Sequence, residues 1–114
     1  MTRDTQSIDA LIEAVRGGAI STSLIEDAMD TSWEAVMVLA AFDGAMDAAL
    51  GLLGHLLPSW DFSVATSWDA YVKASVSKAG EGSYYAESGT AHVKGNPARA
   101  LLLATLKAWK ETMK

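Results

Sequence analysis

The chain has no cysteine, which excludes a disulfide scaffold and cysteine-ligated zinc and fits a reducing compartment. Proline is scarce, with only Pro58 and Pro97 present, so forced breaks in regular structure are few and easily placed. Basic residues are nearly missing from residues 1–69, which hold Arg3 and Arg16 alone. A long charge-free apolar run is missing too. The most apolar region, Ala35 to Leu57, carries Asp43 and Asp47 near its middle, and each would cost about 2.5–3.5 kcal/mol on an insertion scale. It reads as a buried part of a water-soluble domain. The first six residues are polar and lead into an amphipathic stretch, without the pattern of a signal peptide. A cytoplasmic protein with no membrane association is expected.

What is present is enough for a core. The chain is 114 residues long, 50% hydrophobic and 20% charged, with four Trp. A domain of this size buries roughly 65% of the surface of its unfolded chain. That apolar content offsets the ordering entropy that defeats disordered sequences, and the length suits one domain. The net charge of −5 conceals an asymmetry. Residues 1–69 carry eleven acids against two bases, −9, whereas residues 70–114 carry three acids against seven bases, +4. Two readings follow: attraction between the halves of one domain, or an acidic surface that meets a partner.

Ile8, Leu11, Ile12 and Val15 fall at i, i+3, i+4 and i+7, predicting a helix capped by Thr5 or Ser7 and stopped at Gly17-Gly18. A short second helix is expected from Thr22 or Ser23 through Met29. Thr31 and Glu34 have the spacing of a capping box ahead of the apolar run Ala35 to Phe42, and Asp43-Gly44 interrupts that run. A further helix over Ala45 to Leu57 would bury Met46, Ala49, Leu50, Leu53 and Leu57, until Pro58 ends it. The period then changes to two. Trp60, Phe62 and Val64, then Ala70 to Val76, then Tyr84 to Glu87 predict three antiparallel strands. Thr90 to Val93 extends the third or forms a short fourth. Asn96 as cap and Pro97 at the first helical position open a last helix, with Ala98, Leu101, Leu102, Thr105, Trp109 and Met113 facing inward. The expected class is α+β: N-terminal helices, an antiparallel sheet and a C-terminal helix packed on it.

Phe42 to Leu50, Leu57 to Val64, the Tyr84-Tyr85-Ala86-Glu87 strand and the Asn96-Pro97-Ala98 helix start together resemble the phage ABA sandwich domain family. The resemblance covers residues 32–110, leaving residues 1–31 as an acidic helical extension of the same domain. It implies a small protein of phage or prophage origin acting in the host cytoplasm, and it lends no catalytic residue.

Asp43, Asp47 and His55 share a helical face, yet His55 lies about 12 Å along the axis from Asp47, too far for one metal ion to bind all three. They read as a solvated polar face. His92 has no Ser, Cys or paired acid beside it in the sequence, and nucleophilic catalysis needs a base and an orienting group together. Gly80-Glu81-Gly82 joins strands, whereas a phosphate cradle runs into a helix. No enzyme activity, metal or cofactor is therefore expected. Lys73, Lys78, Lys94, Lys107, Lys110 and Lys114 make a modest basic patch under a net negative field, which disfavours direct nucleic-acid binding.

The expected activity is protein binding through Glu26, Asp27, Asp30 and Glu34, with Trp68 in a turn as an aromatic anchor. The partner would be a host or phage protein, and inhibition of a host defence or nucleic-acid-processing complex is the most concrete version. Glu26, Asp30 and Glu34 would stand about 6 Å apart on one helix, near the spacing of alternate phosphates, although a cap at Thr31 breaks that helix. The alternatives are a nucleotide or sugar pocket lined by Trp60, Tyr71 and Tyr84, and a structural virion component. The oligomeric state stays open, a dimer included.

Overall fold

The computed structural model describes residues 5–66, 72–78, 83–84 and 96–112. The elements run α1 (Thr5–Gly17), α2 (Thr22–Ala28), α3 (Ser32–Phe42), α4 (Met46–Leu56), β1 (Trp60–Thr66), β2 (Val72–Lys78) and α5 (Pro97–Thr112). The class is α+β: among the described residues there are five helices and an antiparallel β1–β2 pair, with α5 packed on the sheet.

Local signals set most of the boundaries. Ile8, Leu11, Ile12 and Val15 are all buried, so the expected stripe of α1 is its core face. Gly18 ends α1 at φ +84°. Its N–H donates to the Val15 carbonyl and the Ala19 N–H to that of Ala14, both at 3.1 Å, the paired closure of a Schellman motif. The same device ends α3. There Gly44 has φ +115°, and the N–H groups of Gly44 and Ala45 donate to Ala41 and Ala40. At both positions a side chain would strain the backbone. The second helix is capped by Ser21, one residue before the expected position, with the Ser21 hydroxyl accepting from the Leu24 N–H.

The last helix departs furthest from expectation. Ala98, Ala100 through Leu106, Ala108 and Trp109 are all buried, so α5 has no single inward stripe along this stretch; Met113 lies outside the described residues. It runs through the centre of the molecule, in contact with α1, α3, α4 and both strands. Ala100, Ala104 and Ala108, all buried, recur every four residues along one side. Leu101, Leu102, Leu103 and Leu106 fill the other sides. Buried Thr105 is satisfied within the helix, its hydroxyl donating to the Leu101 carbonyl at 2.8 Å. Asn96 caps α5 as expected, its Oδ1 accepting from the Arg99 N–H at 3.0 Å. Asn96 Nδ2 and Arg99 Nε also donate to the Phe42 carbonyl, at 3.3 and 3.0 Å. The Arg99 guanidinium lies 3.8 Å from the centre of the Phe42 ring, so a cation closes the C-terminal end of α3, where the helix dipole favours it. Lys110 pairs with Asp9, fastening α5 to α1.

β1 and β2 pair in register from Trp60 opposite Lys78 to Thr66 opposite Val72. Val72, Ala74 and Val76 are buried, and α5 covers this face. Of the third expected strand, Tyr84 to Glu87, the described residues hold Tyr84 alone, which with Ser83 pairs with Val76 and Ser77 and does not establish a full strand. Tyr85 to Glu87 and the expected extension over Thr90 to Val93 lie outside the described residues. The buried face of α4 is rotated from the expected one: Ala48, Ala49, Leu52, Leu53 and Leu57 are buried, while Met46 and Leu50 are only partly so. Every candidate position on this helix is apolar or small, so periodicity alone did not single out the side that meets α5.

Candidate functional site

The acidic residues proposed from the sequence divide into two groups. Glu26, Asp27 and Asp30 are exposed on α2 and the segment that follows it. Glu34 is 1% exposed and faces inward, which removes it from any partner-binding surface. The reason is the capping box. Thr31 Oγ1 accepts from the Glu34 N–H at 3.1 Å, while Glu34 Oε1 accepts from the N–H groups of Thr31 at 3.3 Å and Asp30 at 2.9 Å. A side chain that returns to the start of its own helix cannot also reach outward. α2 ends at Ala28 and Met29 is extended, so Glu26, Asp30 and Glu34 form no continuous ladder and the phosphate-like spacing is not built.

Glu34 also accounts for His55. Its Oε2 lies 2.9 Å from His55 Nε2, joining the first turn of α3 to the last turn of α4. The Trp33 ring meets the His55 ring edge-on, with centroids 4.9 Å apart. His55 is thus a structural clasp between two antiparallel helices. Asp43 caps α3 and Asp47 lies in the first turn of α4, both exposed. Among the described residues no group of three His, Cys, Asp or Glu could hold a metal ion. Trp68, Tyr71 and His92 lie outside the described residues, as does the Tyr84 side chain, whereas Trp60 packs half-buried against the core. Among the described residues no helix is long and apolar enough to cross a membrane.

The structure adds a feature that the sequence reading missed. Trp33, Val36 and Leu39 are 46%, 59% and 42% exposed. At i, i+3 and i+6 they form an apolar stripe along the outside of α3, and Asp43 continues it one turn beyond Leu39. The helix is apolar on nearly every side, so its sequence carries no marked periodicity to separate the covered face from the open one. Beside this stripe, α4 exposes Gly51 and Gly54. The Trp33–His55 contact sets the register of the antiparallel pair, placing Gly51, one turn before His55, near the level of Val36.

These glycines are not required by the fold. A Cβ at Gly51 or Gly54 would meet nothing within 4 Å, and glycine inside a helix costs roughly 0.5–1 kcal/mol relative to alanine. Gly51→Ala and Gly54→Ala are each expected to raise Tm by about 2–5 °C in thermal unfolding. An unchanged or lowered Tm would show that the fold itself needs the glycine.

Comparison of the chain with protein-family models returns no match. Comparisons with curated proteins and with solved structures return none either.

Proposed function

We propose that this protein is a non-enzymatic binding module that presents an acidic face to a basic site on another protein. One observation carries the reading. Between Arg16 and Lys73 the sequence contains no Lys or Arg, and the helices formed by this stretch expose Glu26, Asp27, Asp30, Asp43 and Asp47. A surface of one sign steers a partner of opposite sign and rejects like-charged ones. A basic site that ordinarily holds nucleic acid has the matching chemistry, which makes inhibition of a host defence or nucleic-acid-processing complex the concrete form of the proposal. The resemblance to phage ABA sandwich domains supports a phage or prophage origin.

The test uses the full chain as bait in a bacterial lysate, beside a Glu26→Lys/Asp27→Lys/Asp30→Lys variant. All three positions are exposed, so the variant should fold. The expected result is one specific partner, retained at low salt and held at least about tenfold less tightly by the variant. No specific partner, or equal retention by both baits, would overturn the proposal.

A further inference from the structure

The exposed apolar stripe of α3 has exposed carboxylates near both ends, and the two together describe a partner more narrowly. Resting on the acidic-surface reading above, we propose that the outer face of the α3–α4 pair is a docking site for a cationic amphipathic helix of a partner protein. The apolar stripe from Trp33 to Leu39 is about 9 Å long at 1.5 Å per residue, a length that matches anchors at i, i+3 or i+4, and i+7 on an incoming helix. Trp33 supplies the residue type most enriched among binding hot spots. Gly51 and Gly54 leave open space beside the stripe, so a second backbone can approach α4 where any larger side chain would hold it off.

Charge selects the occupant. Asp43 and Asp47 stand at one end of the stripe, where Arg99 is turned onto the Phe42 ring and carbonyl, and Asp30 precedes α3 at the other. Lys or Arg on the flanks of a two-turn apolar anchor would meet carboxylates at both ends. A second copy of this chain docking through the same face would bring like charges together, because a two-fold interface opposes a patch to itself. An anionic membrane surface would be repelled in the same way.

The full chain can be tested against a display library of random 20-residue peptides, with recovered peptides resynthesised and their affinities measured by fluorescence anisotropy. The expected peptides carry apolar residues at helical spacing flanked by Lys or Arg, become helical on binding and bind more weakly as salt is raised. Val36→Lys and Leu39→Lys should each weaken them at least about tenfold. Gly51→Leu should weaken them about fivefold or more through loss of close approach. The altered side chains are exposed or enter open space, and unchanged far-UV circular dichroism checks the fold.

Acidic or non-helical peptides, or indifference to Val36→Lys, would overturn the proposal. So would self-association in sedimentation that Val36→Lys abolishes, or binding to anionic phosphatidylserine vesicles that it abolishes. Peptides that lose affinity for the Glu26→Lys/Asp27→Lys/Asp30→Lys variant but not for Val36→Lys would leave the acidic-surface reading standing and remove helix docking. Peptides indifferent to both variants would remove both.

Discussion

Leu103→Ala is expected to lower Tm by about 10–20 °C. Leu103 is fully buried, and deletion of a buried leucine side chain costs about 2–5 kcal/mol, depending on how far the neighbours collapse into the space. A domain of this size has only about 5–15 kcal/mol to lose. The position discriminates between two pictures of α5. Were α5 an ordinary amphipathic helix with its inward stripe on Ala98, Leu101, Leu102, Thr105 and Trp109, Leu103 would lie at the margin and its truncation would cost less than about 1 kcal/mol. In the enclosed helix the cost approaches that of Leu102→Ala. Thermal or urea unfolding of the two variants together decides the matter, and a Leu103→Ala loss below half that of Leu102→Ala would contradict the enclosed arrangement. β2 lies against a helix that α1, α3 and α4 also contact.

The contrast between α5 and the other helices shows which kinds of information were legible in the chain. Helix ends were legible because they are local chemistry. Gly18 and Gly44 close Schellman turns, Thr31 and Glu34 form their capping box, Pro58 follows the end of α4, and Asn96 with Pro97 opens α5. Faces were legible only where polar and apolar residues alternate strongly, as in α1. In α3 and α4 nearly every position is apolar or small, so no single stripe stands out, and the outward exposure of Trp33, Val36 and Leu39 is decided by packing against distant elements. The same holds for α5, whose burial on all sides depends on five other elements, α1, α3, α4, β1 and β2, arriving around it.

Of the acidic site, Glu26, Asp27 and Asp30 were legible as exposed charges, and Glu34 was not. Its spacing from Thr31 carried the information that it turns inward, because a capping-box carboxylate is committed to backbone N–H groups. Its second partner, His55, is 21 residues away and leaves no mark in the local pattern.

The Glu34–His55 clasp yields the second large effect. Glu34→Ala removes the acceptor for two backbone N–H groups and the partner of His55 at once. Loss of the reciprocal cap costs about 1 kcal/mol, and stranded backbone donors add about 1–3 kcal/mol. A total of about 2–4 kcal/mol, or roughly 8–15 °C in Tm, is expected. His55→Ala should cost less, about 1–2 kcal/mol, because Glu34 keeps both N–H donors and loses a single hydrogen bond to a half-exposed ring. Glu34→Gln should be milder than Glu34→Ala, since its amide oxygen can still accept from Asp30 and Thr31 while its NH2 faces the ring. The double variant separates clasp from cap. If the 2.9 Å contact couples α3 to α4, Glu34→Ala/His55→Ala will fall short of the summed single losses by about 1 kcal/mol. Strict additivity would mean that the two side chains act independently, with Glu34 serving its own helix alone. The distinction reaches the surface, because the clasp holds Trp33 against His55. His55→Ala should therefore weaken helical peptides that anchor on Trp33 even though no acidic residue has changed.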